Sequence, residues 1–160
     1  MKKIGIYVLF LIVCISSYAD QMINVKCVKV SDGDTITVLQ WNKEYKVRLY
    51  GIDCPEKSQA YGKKAKQFTA DKVFGKIVDV DVKDTDRYGR LVGIVHCELF
   101  SLNEELLKNG YAWHYKQYSK DSFYRRVFED EEAEARRKKV GLWADLNPQA
   151  PWEYRKDKRE

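Results

Sequence analysis

Apolar and polar residues alternate along several short segments in the first two thirds of this chain. In the clearest case, three valines from Val78 to Val82 alternate with two aspartates, the pattern of a half-buried strand. Four other segments are rich in β-branched residues and are bounded by turn signals such as Asp32-Gly33. The predicted strands are residues 23–31, 35–39, 45–50, 78–82 and 90–97.

Helical periodicity replaces this alternation in three other segments, residues 58–74, 101–110 and 121–139. In the first of them, Tyr61, Ala65 and Phe68 share one face. Five strands with a helix between the third and the fourth match an OB-type Greek-key barrel. The sequence therefore predicts an α+β protein, a five-stranded OB-fold barrel with about three helices.

The first 19 residues have the three parts of a secretory signal peptide. Lys2 and Lys3 precede an apolar run, and Ser17-Tyr18-Ala19 offers a cleavage site with small residues at its first and third positions. The alternatives are an uncleaved membrane anchor or a buried strand. We expect residues 1–19 to be removed, residues 20–160 to form one domain without stable membrane association, and the product to be secreted or periplasmic.

The formal net charge of +5 falls to +3 once Lys2 and Lys3 are removed with this segment. A modest positive excess suits a polyanionic partner, although plain solubility explains it equally well. Three cysteines remain in the domain, so at least one thiol stays unpaired within a monomer. The sequence allows a Cys27–Cys97 disulfide, because both residues lie in predicted strands. No Cys/His cluster indicates zinc.

Four short segments carry residues suited to metal-assisted phosphodiester hydrolysis, which needs carboxylates for a hard cation and arginines for a phosphate. These segments are Asp32-Gly33-Asp34-Thr35, Arg48, Asp53-Cys54-Pro55-Glu56, and Asp86-Arg87-Tyr88-Gly89-Arg90. Each has a simpler explanation when taken alone: hairpin turns, a surface salt bridge, or a polar loop before a helix. Their combination in one small basic domain favours a shared site.

In order and approximate spacing, these segments resemble the staphylococcal nuclease family. The resemblance runs from about Val28 to Tyr154. Further matching motifs are Leu102-Asn103-Glu104, Gly110 to Tyr115, Gly141-Leu142-Trp143, and the tail from Asn147 to Tyr154.

This resemblance implies a Ca²⁺-dependent OB-fold enzyme that hydrolyses DNA and RNA. It places the metal ligands at Asp34, Asp53 and the main chain of Cys54, with Asp32 supporting the site indirectly. Glu56 becomes the general base, or the residue that positions the attacking water. Arg48 and Arg90 become the phosphate contacts that stabilise charge. Arg87, Tyr88 and Tyr118 fall near positions that contact bound nucleotide.

The chain departs from the best-known family member in three places. Cys54 replaces a threonine, the segment from Glu56 to Gly62 is short, and Lys116 falls where a nucleotide-stacking tyrosine is expected. We therefore expect a monomeric nuclease with DNA and RNA substrates and a preference for single strands. The alternative function is a non-catalytic OB-type module that binds single-stranded nucleic acid. Aromatic packing is expected for Trp113 and Trp143, and a structural role for His114.

Overall fold

The computed structural model describes residues 21–159, so the predicted signal peptide lies outside the described residues. The chain folds into a barrel with helices packed against its first and sixth strands. Its strands are β1 (Gln21–Asp32), β2 (Thr35–Gln40), β3 (Lys43–Leu49), β4 (Ile52–Asp53), β5 (Ile77–Thr85), β6 (Leu91–Cys97), β7 (Phe100–Ser101) and β8 (Trp113–His114). All five predicted strands are present, as β1, β2, β3, β5 and β6.

Hydrogen bonding between β3 and β6 closes the barrel. The larger sheet has the order β3-β2-β1-β5-β6-β7, and its first strand β3 also pairs in parallel with β6, with Val47 opposite Leu91. The neighbouring pairs are antiparallel. At the seam, the Tyr50 N–H donates to the Gly93 carbonyl at 2.8 Å. The structure confirms the predicted OB-type, α+β barrel.

The barrel interior is filled by aliphatic side chains from several strands. Val78 and Val80 are buried, and so are Ile36, Val38 and Ile94. Burying aliphatic side chains at about 25 cal/mol per Å² of apolar surface is the main contribution to the stability of such a domain. The alternating pattern therefore predicted the buried positions Val78 and Val80 of β5, whereas four successive residues of β2, from Thr35 to Val38, are buried.

Four α-helices accompany the barrel: α1 (Gly62–Val73), α2 (Leu102–Lys108), α3 (Ser122–Lys138) and α4 (Pro151–Asp157). Side chains cap two of them. The Ser101 hydroxyl accepts from the Glu104 N–H, and the Asp121 carboxylate accepts from the N–H groups of Phe123 and Tyr124. Helix α1 begins at Gly62, four residues later than predicted. Helix α4 was not predicted, although it opens with a proline, a typical first helical residue.

Aromatic rings join the C-terminal segment to the barrel. Trp113 packs edge-on against Trp143 and Trp152, with ring centroids 4.5 and 5.6 Å apart. The Trp152 ring, on α4, also stacks on Tyr115 at 4.9 Å. The packing expected for Trp113 and Trp143 is therefore present, and the same cluster fixes the position of α4.

The thiols of Cys27, Cys54 and Cys97 are free and buried. The Cys27 thiol donates weakly to the Lys29 carbonyl at 3.7 Å, and the Cys97 thiol to the Ile77 carbonyl at 3.8 Å. The Cys27–Cys97 bridge that the sequence left open is therefore not formed. Between residues 21 and 159, no helix has the length and apolar character needed to cross a membrane.

Candidate active site

The turn between β1 and β2 presses Asp34 against the loop that follows β4. Asp34 Oδ2 accepts the Cys54 N–H at 2.6 Å, and the Gly33 carbonyl accepts the Thr69 hydroxyl of α1 at 2.5 Å. A Cβ atom on Gly33 would lie 2.8 Å from Cys54 Sγ, so this approach requires a glycine. The segment is thus both the hairpin turn of the simpler interpretation and part of a carboxylate cluster.

Arg48 joins the two central carboxylates. Its Nη1 lies 3.0 Å from Asp34 Oδ2, and its Nη2 donates to Asp53 Oδ1 at 2.8 Å. The Arg48 side chain is 16% exposed and that of Asp53 only 2%. Burial disfavours the Arg48 cation, but Asp34 and Asp53 outweigh it and raise the Arg48 pKa. Arg48 therefore does not form the outer-surface salt bridge that is usual for an arginine in a strand.

Asp53 lies at the end of β4, which pairs with β8 and so brings the C-terminal half of the chain to the site. Burial raises the Asp53 pKa, although Arg155 and Arg48 partly oppose it. The neighbouring Cys54 thiol is also buried, and burial together with Asp34 raises its pKa well above the usual range. The thiol is therefore protonated, and only the Cys54 main chain is suited to bind a hard cation.

Asp32 adds a third carboxylate beside Asp34. Its Oδ1 is buried and has no hydrogen-bond partner among the described residues. Burial, followed by the Asp34 charge, raises the Asp32 pKa to about 6. Two adjacent carboxylates with an unpartnered oxygen are a chemical fit for a divalent cation with oxygen ligands. Within residues 21–159, however, no three acidic, Cys or His side chains converge into a complete metal shell. A bound cation would therefore also need main-chain or water ligands.

Glu56 lies at the rim of this cluster, and its side chain is 41% exposed. Its main chain is fixed by local bonds: its N–H donates to Gln59 Oε1 at 3.1 Å, and its carbonyl accepts the Gln59 N–H at 2.8 Å. Its carboxylate accepts from Arg155 Nη1 at 2.8 Å. A rim carboxylate of this kind can reach solvent water and accept a proton from it.

Arg155 is the residue at this site that the sequence did not identify. Its Nη2 donates to Asp53 Oδ2 at 2.8 Å, while its Nη1 binds Glu56. Both carboxylates raise the Arg155 pKa against the effect of partial burial. No local sequence pattern indicates this role, because Arg155 lies 102 residues from Asp53 and 99 residues from Glu56 along the chain.

The other predicted residues lie in the β5–β6 turn and on a neighbouring surface. Arg90 Nε donates to Asp86 Oδ2 at 2.6 Å, so Arg90 does not contact the carboxylate cluster. It directly precedes β6 and lies two residues before Val92, the strand partner of Arg48. Arg87 Nη2 donates to the Tyr88 hydroxyl at 2.6 Å. This turn brings both arginines near Tyr88.

Tyr118 lies in an aromatic row beside α4. Its ring centroid is 4.6 Å from that of Tyr115, which in turn stacks on Trp152. Tyr118 and Tyr88 are 58% and 68% exposed. Lys116, the residue that departs from the family pattern, pairs with Glu129 at 3.3 Å. The exposed rings are therefore available for stacking on nucleobases, whereas Lys116 is engaged with α3.

A small mixed barrel that carries buried carboxylates, a bridging arginine and a rim glutamate has the groups that a phosphodiester hydrolase on an OB-type fold requires. Comparison with known proteins gives the particular family. Residues 46–145 match the model of the family described as "Staphylococcal nuclease homologue", and the chain belongs to this family.

Two bacterial relatives resemble almost the whole chain. A Haemophilus influenzae protein named "uncharacterized endonuclease" is 42% identical over 160 residues, which covers 99% of this chain and 88% of that protein. A Shigella flexneri "micrococcal nuclease" is 39% identical over 155 residues, covering 91% and 87%. The Arabidopsis thaliana "staphylococcal-like nuclease CAN1" is 47% identical over 117 residues, but these span only 35% of its length. The chain is therefore an endonuclease that hydrolyses nucleic-acid phosphodiester bonds, as the sequence predicted.

Proposed function

We propose that this nuclease depends on Ca²⁺ and hydrolyses both DNA and RNA at the cluster around Asp34 and Asp53. The observation that supports the proposal most strongly is the pair of buried carboxylates that share one guanidinium, that of Arg48. A binding module has no need for such a cluster, because burying charged groups is costly unless they serve a purpose. The catalytic interpretation is therefore favoured over the non-catalytic one.

The proposed metal ligands are Asp34, Asp53 and the main-chain carbonyl of Cys54. Carboxylate and carbonyl oxygens are the ligands that Ca²⁺ prefers. The unpartnered Oδ1 of Asp32 adds negative potential beside them. When bound, the cation would supply positive charge that makes the phosphate easier to attack.

Three side chains perform the remaining chemistry in this proposal. Glu56 accepts the proton of the attacking water or holds that water in position. Arg48 and Arg90 donate hydrogen bonds to phosphate oxygens and stabilise the charge that develops there. Arg90 is held by Asp86 and is partly exposed, so an incoming phosphate can compete for its guanidinium.

The surface next to the site supports a preference for unpaired strands. Exposed tyrosine rings stack on any base, but a base within a duplex does not offer its face. Tyr88 and Tyr118 are exposed, and Arg87 lies over the Tyr88 ring at 4.8 Å. We assign these three residues to nucleotide binding, in a protein that acts as a monomer.

Release of short nucleotides by the purified protein tests the central proposal. Denatured DNA and RNA are each incubated with Ca²⁺, with Mg²⁺ and with a chelator, beside the Glu56→Gln variant. We expect Ca²⁺-dependent release from both substrates, lowered at least about a hundredfold in the variant. Equal release with chelator would contradict the metal dependence. Equal release by Glu56→Gln would contradict the role of Glu56.

We also propose that residues 1–19 direct export to the periplasm or the medium. The supporting pattern is the Lys2-Lys3 start, the apolar run and the Ser17-Tyr18-Ala19 site. N-terminal sequencing of the protein from these fractions should begin at Asp20. Recovery of the intact chain from the cytoplasm alone would contradict this proposal.

A further inference from the structure

Arg155 ties together the two carboxylates to which the proposed function gives different roles. One guanidinium nitrogen donates to Asp53 Oδ2 and the other to Glu56 Oε1, each at 2.8 Å. Among residues 21–159, Arg155 is the only side chain that hydrogen-bonds to the Glu56 carboxylate. The residue lies outside the stretch of 46–145 that matches the family model.

Helix α4 is held in place by contacts that do not involve Arg155. The Tyr154 hydroxyl donates to Ser58 Oγ at 2.9 Å, and Gln59 Nε2 donates to the Gln149 carbonyl at 2.7 Å. Pro151 is buried, and the Trp152 ring stacks on Tyr115. The helix therefore presents Arg155 to the site from a fixed base, rather than being held only by the ion pairs.

The contacts of Glu56 explain why a fixed partner matters. Its side chain is partly exposed and lies in a loop, so its rotamer is poorly restrained without such a contact. A charge-assisted bond to a planar guanidinium fixes both distance and direction. The bond occupies Oε1, which leaves Oε2 to receive the proton of a water molecule.

We propose that Arg155 is a positioning residue for Glu56 that also limits the affinity of the site for its cation. The inference rests on the proposed roles of Glu56 and Asp53. Arg155 holds the glutamate in place through the bond to Asp53, and its charge next to Asp53 Oδ2 competes with a metal ion for that oxygen. Loss of Arg155 should therefore slow turnover and at the same time tighten Ca²⁺ binding.

Two substitutions with long side chains separate charge from packing in the full chain. Arg155→Met retains the apolar stem and removes the charge. Arg155→Lys retains the charge but lacks the planar guanidinium that can bind two carboxylates at once. We expect Arg155→Met to lower kcat about 10- to 100-fold with little change in KM. Arg155→Lys should recover part of this loss. The control is Lys156→Met, which removes an exposed charge from the same helix and should keep activity within about twofold.

A double-mutant comparison shows whether Arg155 acts through Glu56. In the Glu56→Gln background, Arg155→Met should cause no further fall in kcat, because the group that it positions is already absent. A further fall as large as that in the parent would overturn the positioning role. A Glu56→Gln variant with parental activity would instead refute the proposed function itself, so the two failures are distinguishable.

Calcium binding provides a readout that does not depend on catalysis. The rise in melting temperature with Ca²⁺ gives the affinity of each variant. Arg155→Met should reach a given rise in melting temperature at a several-fold lower Ca²⁺ concentration than the parent. Unchanged or weaker binding would overturn the second part of the proposal. Tyr154→Phe, which loosens α4 and retains Arg155, should not tighten binding; equal tightening would indicate a merely structural effect.

Discussion

Gly33 and Cys54 are in direct contact across the candidate site, because a Cβ atom on Gly33 would lie 2.8 Å from both Cβ and Sγ of Cys54. The same atom would lie 2.8 Å from Ala65 Cβ. This contact sets the separation between the β1–β2 turn, which carries Asp34, and the end of β4, which carries Asp53. The geometry of the carboxylates thus depends on the absence of one methyl group.

Gly33→Ala should therefore damage the site and the fold together. Pressing a methyl group into this contact should cost about 1–3 kcal/mol of unfolding free energy, because neither backbone nor buried side chain can move away freely. Activity should fall at least about tenfold, since a small displacement of catalytic groups is costly. Urea unfolding and nucleotide release measure the two effects.

The matched control is Gly75→Ala. Gly75 also resists substitution, since its φ is +76°, but a Cβ there would meet nothing within 4 Å. The Gly75→Ala variant should lose about 1 kcal/mol of unfolding free energy through backbone strain and should keep its activity. Equal loss of activity in both variants would show that global stability, rather than the Gly33–Cys54 contact, controls catalysis.

Substitutions of Arg48 and Arg90 should change the stability of the protein by different amounts, although both residues are assigned to phosphate contact. Arg48→Met leaves Asp34 and Asp53 buried without their shared partner, which should cost about 3–5 kcal/mol. Arg90→Met breaks a partly exposed pair with Asp86 and should cost at most about 1 kcal/mol. Each should lower turnover at least about a hundredfold.

The measurement is urea unfolding in chelator, beside nucleotide release in Ca²⁺. Arg48→Met with the stability of the parent would mean that the carboxylates do not need the guanidinium. Arg90→Met with parental turnover would remove Arg90 from the proposed mechanism. The Lys156→Met variant again serves as the control for loss of one positive charge.

Local patterns were sufficient to predict the barrel but not the arrangement of its site. Strand alternation identified the core valines, and turn residues identified the segment of Asp34. The contact between Arg155 and Glu56 joins residues 99 apart in sequence, and no local pattern reports such a contact. Helix α4 was missed because it is only seven residues long, and its position depends on Trp152 packing rather than on helix propensity.

The partner of Arg90 is a second feature that local patterns did not predict. The sequence placed Arg90 in a turn, and the family resemblance gave it a role. The structure pairs it with Asp86, because this is the nearest carboxylate in the same turn. Contacts within the protein therefore report the Asp86 partner of Arg90 and not the phosphate that the proposal assigns to it.

The three cysteines in the described part of the chain should not react with thiol reagents in the native state. All are buried, and burial raises their thiol pKa values, for Cys27 to about 11. Titration of a chain starting at residue 20 with an aromatic disulfide at pH 8 should give no fast reaction, and three thiols after unfolding in urea. If one thiol of the native parent reacted fast and this reaction were absent from the Cys54→Ser variant, the buried position of Cys54 would be contradicted.

His114 should make the protein sensitive to moderate acid. Its ring is buried against Phe128, both ring nitrogens lack hydrogen-bond partners within the described residues, and burial lowers its pKa to about 4. In the unfolded chain the pKa is near 6.5, so that state binds the proton first as the pH falls. Stability should therefore be fully present above about pH 6.5 and decrease down to about pH 4, by roughly 2–3 kcal/mol.

His114→Phe tests this assignment, since it retains an aromatic ring and removes the titration. The difference in unfolding free energy between the variant and the parent should grow as the pH falls from 7 to 4.5, measured by urea unfolding in chelator. A constant His114→Phe difference would mean that the His114 proton affinity is the same in both states, and the acid sensitivity would then have to come from the carboxylate cluster.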